Sequence, residues 1–251
     1  MRVALEQKLE AAWLRVDETD VPMNPVVVGP PGCGKTSLIA AMAQKRNQPL
    51  YIYQCTMDTR PEDLIITPVL EGDQKIRYQA SSLVSAMIAG GICILDEGNR
   101  MRDKAWASLA SLLDTRRYVE SIIAGIKIPA HRDFRGASTM NEDTSTFQLP
   151  DYIRSRLRPR IEVPEPDEAT LEQVIRSNHP YVTEPVVSAV TKYLAKRRQE
   201  NAPTVSTRQA VQLAAYTFKR QSLGETGSLP ELIHDGFQII VDTETRSNRK
   251  A

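Results

Sequence analysis

Short apolar runs alternate with longer helix-like stretches over the first two thirds of the chain. The runs at residues 26–28, 51–53, 92–95 and 134–140 have the pattern of strands, and the stretches at 36–46, 81–89 and 104–113 have the composition of helices. The run Ile92-Cys93-Ile94-Leu95 is apolar throughout, as expected of a strand with helices on both of its faces. This alternation predicts an α/β fold in which a parallel sheet lies between layers of helices.

The pattern changes twice further along the chain. Apolar residues flank the turn signal Ala124-Gly125 within residues 118–128, which predicts a small β-hairpin. Beyond the proline-rich break at residues 163–167 the pattern is helical only, with candidate helices at 168–177, 185–199, 207–221 and 230–241. We therefore expect two domains, an αβα sandwich over residues 1–165 and a small all-helical domain over residues 166–251.

The composition is that of an ordinary globular protein. Of the 251 residues, 41% are hydrophobic and 25% are charged, and a formal net charge of +1 gives no strong overall attraction for nucleic acid or anionic membranes. The three cysteines form no C-x-x-C pair, which argues against a disulfide framework or a zinc ribbon and predicts a cytoplasmic location. The N-terminal pattern predicts an amphipathic helix and not a signal peptide, and no apolar run is long enough to span a bilayer.

A glycine-rich loop stands between the first predicted strand and the first predicted helix. It fits the P-loop pattern G-x-x-x-x-G-K-[ST] in full and is followed by Ser37; its residues are Gly29, Pro30, Pro31, Gly32, Cys33, Gly34, Lys35 and Thr36. Glycines let such a loop curl so that backbone N–H groups converge on phosphate oxygens, and the positive end of the next helix faces the same anion. Lys35 is predicted to reach the β and γ phosphates, and Thr36 to offer its hydroxyl to Mg²⁺. A chance glycine-rich turn is the alternative, but the flanking strand and helix favour a nucleotide site.

Two acids, Asp96 and Glu97, end the apolar strand predicted at residues 92–95. Ligands bind at the carboxyl edge of parallel sheets, so carboxylates at the end of a buried strand indicate a site. Asp96 is predicted to hold Mg²⁺, directly or through water, and Glu97 to act as the general base on an attacking water. The alternative is a pair of solvated turn acids.

Further polar candidates follow these acids. Asn141 ends the strand predicted at residues 134–140 and is a candidate for orienting the water beside the γ phosphate, with an ordinary turn asparagine as the alternative. Residues 149–160 carry four arginines, among them Arg154 and Arg156. A guanidinium supplied across a subunit interface can stabilise the transition state of phosphoryl transfer, whereas a solvated basic loop would have no such role.

These motifs, in this order, resemble those of the AAA+ ATPases. The corresponding positions are Walker A at residues 29–36, Walker B at 92–97, sensor 1 at Asn141, the arginine finger at Arg156 and sensor 2 at Arg208. Within AAA+ the chain is most similar to the MoxR group, in particular its CbbQ/NorQ-like branch. The passages that carry this similarity are Asn24-Pro25-Val26-Val27-Val28, Asp58-Thr59-Arg60-Pro61-Glu62-Asp63-Leu64, Asp96-Glu97-Gly98-Asn99-Arg100 and the hairpin with Ala130-His131 and Phe134-Arg135 after it.

The resemblance implies an ATPase core followed by a helical lid, assembled into a ring that is usually a hexamer. ATP rather than GTP would lie with Mg²⁺ between neighbouring subunits, and Arg156 would complete the site of the next subunit. The family's finger motif is close to L-P-x-x-x-x-D-R-F, and the neighbours of Arg156 depart from it, so Arg154 remains a competitor. Arg208 would act from a lid helix as sensor 2, although a surface arginine after a helix-capping serine is the alternative.

Three functions remain open from the sequence. The first is a MoxR-type remodelling ATPase that acts on a separate partner, often a protein with a von Willebrand A domain in this family. The second is a nucleic-acid-associated NTPase, to which the basic stretches at 154–160, 196–198 and 219–220 would contribute. The third is a non-catalytic nucleotide switch, which Glu97 argues against because an inactive site commonly lacks its base. We take the first as the working hypothesis.

Overall fold

Two compact units make up the chain, and the computed structural model describes residues 2–72, 75–141, 148–200 and 205–242. The first unit comprises Met1–Gly29 with Gly34–Val163, and the second comprises Pro30–Cys33 with Pro164–Ala251. The strands are β1 (Val26–Val28), β2 (Leu50–Gln54), β3 (Ile66–Glu71), β4 (Lys75–Ala80), β5 (Ile92–Asp96), β6 (Tyr118–Ser121), β7 (Ile126–Pro129), β8 (Arg135–Met140) and β9 (Arg160–Glu162). The helices of the first unit are α1 (Arg2–Trp13), α2 (Lys35–Lys45), α3 (Pro61–Leu64), α4 (Ser82–Ala89), α5 (Asp103–Ser108) and α6 (Asp151–Arg154).

A five-stranded parallel sheet forms the centre of the first unit, in the order β2-β5-β8-β1-β9. β1 is buried along its whole length, and β5 is buried as far as Leu95. Central strands of this kind are covered on both faces, which agrees with their continuous apolar sequence. The predicted α/β fold with a parallel sheet between helices is confirmed.

The N-terminal helix α1 is anchored to the sheet through Trp13. This side chain is fully buried, and its Nε1 donates to Gly136 O at 3.1 Å. In return, Arg135 Nε donates to Trp13 O at 2.8 Å. The side chain of Arg135 is itself desolvated, and this lowers the pKa of its guanidinium to about 10. These contacts satisfy the carbonyl at the end of α1 and fix the helix beside β8.

Two antiparallel hairpins project from the main sheet. The β6–β7 hairpin, with Tyr118 opposite Pro129, confirms the hairpin predicted at residues 118–128. The β3–β4 hairpin, with Ile66 opposite Ala80, was not predicted. Its strands are exposed along almost their entire length, so it lacks the buried apolar run that identified the central strands.

The helix predicted at residues 104–113 is longer than the helix in the structure, α5. α5 ends at Ser108, and the chain continues in tighter turns in which Leu112 N donates to Leu109 O. Leu109, Leu112 and Leu113 are all buried, and the turns direct these three side chains into one core. The edge strand β9 was also missed, because only its central residue, Ile161, is buried.

In the second unit, the described residues beyond Pro164 form helices and the short segments that join them. It contains α7 (Glu168–Asn178), α8 (Glu184–Gln199), α9 (Thr207–Ser222) and α10 (Leu229–Phe237), which confirms the four predicted helices. The fourth is shorter than predicted, because a π turn at Gln238–Asp242 follows it. Helix starts are capped as expected: Asp167 accepts from Thr170 N before α7, and Ser206 accepts from Gln209 N before α9. Among the helices in the described part of the chain, none combines the length and the apolar character needed to cross a membrane.

Candidate nucleotide-binding and hydrolysis site

The loop between β1 and α2 carries the predicted phosphate motif. Gly29 follows β1, and its N–H donates to Met140 O of β8 at 3.4 Å. Gly34 precedes α2 with a φ of 94°, in a region that glycine adopts without strain. The helix begins at Lys35, so the backbone N–H groups of its first turn lie at the end of the loop, an arrangement that attracts anions.

Lys35 is a buried cation beside this loop, with only 8% of its surface exposed. Its ammonium group donates to Gly29 O at 2.8 Å and to Asn141 Oδ1 at 2.7 Å. Burying an ammonium group costs free energy unless its N–H groups are bonded, so these oxygens hold the charged end of Lys35 at the sheet edge. The predicted phosphate-binding lysine and the predicted water-orienting amide are thus in direct contact.

Thr36, Asp96 and Thr139 form a second connected group. Thr36 Oγ1 donates to Asp96 Oδ1 at 3.0 Å, and Thr139 Oγ1 donates to the same oxygen at 2.6 Å. Asp96 ends β5 and Thr139 lies on the adjacent strand β8, so the parallel pairing brings both to one edge. Hydroxyl and carboxylate oxygens are ligands that Mg²⁺ prefers, and the pair Thr36–Asp96 therefore fits the predicted magnesium site.

Glu97 turns the chain at the end of β5. Its φ of 55° and ψ of 43° lie in the left-handed region, which non-glycine residues occupy at a cost in free energy. Its N–H donates to Thr139 Oγ1 at 3.0 Å, and its Oε1 accepts from Asn141 Nδ2 at 3.0 Å. Its Oε2 pairs with Arg100 Nε at 2.7 Å and accepts from Gln54 Nε2 at 3.3 Å. The predicted base is therefore held by the same amide that contacts the phosphate-binding lysine.

A short 3₁₀ turn follows Glu97 and packs against β8. A Cβ at Gly98 would overlap Ser138 Oγ, so only glycine permits this close approach. Asn99 is buried, and its Nδ2 donates to Asn141 O at 2.7 Å. The turn thereby fixes the backbone of Asn141, whose side chain lies between the lysine and the predicted base.

Thr139 and Gln54 also belong to this network, and neither was predicted as a site residue. Thr139 lies two residues before Asn141, and such residues point to the same face of a strand. A polar side chain in a buried strand was the signal for Thr139. Gln54 ends β2, opposite Asp96 of β5, and only the order of the strands reveals this position.

The two candidate finger arginines lie at the end of the short helix α6, Arg154 as its last residue and Arg156 two residues later, and they make different contacts. Arg154 Nη2 donates to Leu149 O at 3.1 Å and pairs with Asp151 Oδ1 at 3.1 Å, so its contacts are local. Arg156 Nη1 donates to Tyr152 O at 2.5 Å, and its Nε lies 3.6 Å from an oxygen of Asp114. These described contacts are separate from the network around Lys35, and the finger role of either arginine stays a prediction.

Arg208 lies in the second unit, exposed in the first turn of α9. In the same unit, a Cβ added at Gly32 would be 3.0 Å from Arg208 N. The backbone of Arg208 is thus adjacent to the glycine-rich segment Pro30–Cys33. The role of the guanidinium as sensor 2 stays a prediction.

The matched portion of the chain identifies its family. The model of the AAA domain, dynein-related subfamily, matches residues 24–157, more than half of the chain. This chain belongs to the AAA family. The matched AAA segment includes every residue of the hydrogen-bonded network and both candidate finger arginines, whereas Arg208 lies outside it.

Relatives of this AAA chain include two proteins of the NorQ type. It is 34% identical over 126 residues to the denitrification regulatory protein NirQ of Stutzerimonas stutzeri, covering 49% of this chain and 43% of NirQ. It is also 34% identical over 122 residues to protein NorQ of Paracoccus denitrificans, covering 49% of this chain and 44% of NorQ. The match thus spans less than half the length of these relatives. The predicted membership of the AAA+ ATPases, in the MoxR group, is confirmed.

The fold of this AAA chain also resembles that of a solved AAA+ motor. The structure of the Thermotoga maritima RuvB Holliday junction branch migration motor aligns with a TM-score of 0.62 at 17% sequence identity. The alignment covers 95% of this chain and 67% of the RuvB chain. At this level of identity the similarity establishes the fold alone.

Proposed function

We propose that this chain hydrolyses ATP as a remodelling ATPase of the MoxR type, working as a ring oligomer, expected to be a hexamer, on a separate partner complex. The supporting observation is the unbroken set of contacts from Lys35 through Asn141 to Glu97, beside the Thr36–Asp96 pair. Groups suited to phosphate binding, metal binding and proton transfer therefore lie within hydrogen-bonding distance of one another.

Each residue of the network has a role in the proposed reaction. The loop at residues 29–37 surrounds the phosphates, and Lys35 neutralises charge on the β and γ phosphates. Thr36 and Asp96 would hold Mg²⁺, which when bound supplies further charge neutralisation at the phosphates. Glu97 accepts the proton of the attacking water, and Asn141 orients that water. Preference for ATP over GTP rests on the family alone.

Further roles in the proposal depend on the ring and on the helical region. Arg156 completes the site of the next subunit, with Arg154 as the alternative finger, and Arg208 acts as sensor 2. We assign residues 1–165 to the nucleotide-binding core and 166–251 to the lid. This boundary is close to Val163, where the contacts of the chain change from one unit to the other.

The proposed partner is a separate protein complex that the ring matures or activates. NirQ is named a denitrification regulatory protein, which is consistent with an ATPase that acts on another enzyme. In the MoxR group such a partner often carries a von Willebrand A domain. We place the activity in the cytoplasm, because the sequence has only three cysteines, Cys33, Cys55 and Cys93, and no C-x-x-C pair among them, a cysteine usage typical of reducing compartments. Burial raises the pKa values of the Cys55 and Cys93 thiols and keeps them in the protonated, unreactive form.

A nucleic-acid partner is the second candidate, favoured by the basic stretches and by the RuvB-like fold. Several of these basic side chains, however, have partners within the chain. Arg198 pairs with Glu165 at 3.4 Å, Arg160 pairs with Glu162 at 3.2 Å, and Arg197 lies over the ring of Phe237. Each such pairing reduces the charge offered to a phosphate backbone, so a protein partner is the better supported proposal.

The phosphate site is tested by Lys35→Ala. Removing the ammonium group deletes a charge-assisted contact to the phosphates worth about 1.5–3 kcal/mol, so ATP affinity should fall by roughly 10- to 100-fold. Equilibrium titration with a fluorescent ATP analogue measures this change. Lys45→Ala, an exposed lysine at the other end of α2, is the matched control and should bind normally. Equal affinity in the two variants would contradict the phosphate-site assignment.

The remodelling role is tested by capture of the partner from the native host. Tagged Glu97→Gln protein is purified with ATP, and tagged Lys35→Ala protein is purified in parallel, at an ATP concentration too low to fill its weakened nucleotide site. We expect a stoichiometric protein partner with Glu97→Gln alone, identified by mass spectrometry. Nucleic acid or a nuclease in place of that protein would favour the second candidate.

A further inference from the structure

A tight turn after α5 presents the carboxylate of Asp114. This carboxylate accepts from Arg116 N at 3.0 Å, from Arg116 Nε at 3.1 Å and from Arg116 Nη2 at 2.7 Å. The turn is closed by Arg117 N, which donates to Asp114 O at 3.3 Å. Asp114 is therefore held in a fixed orientation by its own loop.

The same carboxylate faces Arg156, which comes from a distant part of the chain. Arg156 Nε lies 3.6 Å from Asp114 Oδ2, and the Arg156 side chain is only 30% exposed. Hydrogen bonds from Arg116 and the positive charges of Arg116 and Arg156 lower the pKa of Asp114. The carboxylate thus remains ionised near neutral pH and attracts the Arg156 guanidinium.

The other candidate finger, Arg154, has no comparable support from a distant element among its described contacts. Its ion-pair partner, Asp151, lies three residues away and is 92% exposed. Exposed pairs of this kind are weak and restrict a long side chain little. Of the two arginines, Arg156 is the one whose guanidinium is oriented by a second segment of the fold.

We propose that Asp114 is a positioning residue that holds Arg156 in the orientation required by the neighbouring subunit's γ phosphate. This inference rests on the proposed function and on Arg156 as the finger. At 3.6 Å the two groups form an ion pair without a close hydrogen bond, so the guanidinium can turn toward a more highly charged phosphate. Orientation before assembly reduces the entropy lost when the finger engages.

The test begins with Asp114→Asn. The amide keeps one oxygen that can accept from Arg116 N and Nε, so the backbone turn keeps its contacts, while the negative charge and the acceptor for Arg116 Nη2 are removed. We expect kcat for ATP hydrolysis to fall about 10- to 100-fold, the loss that a displaced catalytic group produces, with unchanged ATP affinity and melting temperature. Asp133→Asn, an exposed carboxylate that pairs with Arg132, is the matched control and should retain full activity.

Two further measurements distinguish positioning of Arg156 from general damage. Asp114→Asn should cause no additional loss in an Arg156→Ala background, because the group it positions is already absent. Asp114→Asn subunits should also regain activity when mixed with Lys35→Ala subunits, which bind ATP weakly but donate an intact Arg156, at an ATP concentration that fills only the sites with an intact Lys35. If Asp114→Asn does not fold, Asp114→Ser, whose hydroxyl can also accept from Arg116 N–H, is measured in the same way.

Each outcome supports or overturns the inference. Wild-type kcat in Asp114→Asn, an additive loss in the double variant, or no recovery on mixing would overturn it. These outcomes are separate from failure of the proposed function, which would appear as undiminished hydrolysis in Arg156→Ala itself.

Discussion

Glu97→Gln is expected to bind ATP with near wild-type affinity and to hydrolyse it about 10²- to 10⁴-fold more slowly, the typical contribution of a general base. The amide has almost the shape of the carboxylate but cannot accept the proton of the attacking water. Its oxygen can still accept from Asn141 Nδ2, so the local contacts are largely preserved. Single-turnover release of labelled phosphate, together with nucleotide titration, separates the chemical step from binding.

The control for this experiment is Glu18→Gln, an exposed glutamate in the loop after α1. It carries the same chemical change and should hydrolyse ATP at the wild-type rate. Wild-type turnover in Glu97→Gln would remove Glu97 as the base. Slow turnover in the wild-type protein itself, equal to that of Glu97→Gln, would instead support a non-catalytic nucleotide switch.

Arg156→Ala is expected to lower kcat by about 10³- to 10⁵-fold while each subunit still binds ATP, because arginine fingers contribute this much to phosphoryl transfer. Arg154→Ala is the matched comparison, since Arg154 lies two residues away and its described contacts, with Leu149 O and Asp151, are within its own segment. It should retain most of its activity. The reverse result, with the loss in Arg154→Ala, would transfer the finger assignment to Arg154.

Mixing experiments test whether Arg156 acts on a neighbouring subunit. Arg156→Ala subunits carry an intact ATP site, and Lys35→Ala subunits carry an intact finger, so mixed rings should recover hydrolysis that neither variant shows alone. Hydrolysis by Arg156→Ala alone at the wild-type rate would show that the residue is dispensable. Absence of recovery in verified mixed assemblies would contradict action in trans.

The phosphate loop and the two acids could be predicted because each is a motif of residues that are contiguous in the sequence. The segment from Gly29 to Thr36 specifies its own turn and the start of α2, and an apolar strand that ends in Asp96 and Glu97 is recognisable without knowledge of its neighbours. Asn141 was predicted from its place at the end of a strand. Its contacts with Lys35 and Glu97 follow from the parallel order of β5, β8 and β1.

The residues that the sequence missed depend on pairings between distant segments. Gln54 reaches Glu97 only because β2 lies beside β5, and Asp114 reaches Arg156 only because the turn after α5 packs near α6. The β3–β4 hairpin was missed for a related reason. Its apolar residues form a continuous face only when Leu70 is paired with Ile76. Both strands are exposed, so the sequence of either strand alone shows no alternation of buried and exposed positions that would indicate this pairing.

Hydrolysis of ATP at a site completed by a neighbouring subunit is the central claim, and the rate per subunit as a function of protein concentration tests it most directly. Phosphate release with ATP and Mg²⁺ would be measured alongside sedimentation velocity in the same buffer. We expect a rate per subunit that is low for the monomer, rises with the assembled fraction and then reaches a plateau. Assembled protein that releases no phosphate, or a monomer as active per subunit as the assembly, would contradict it.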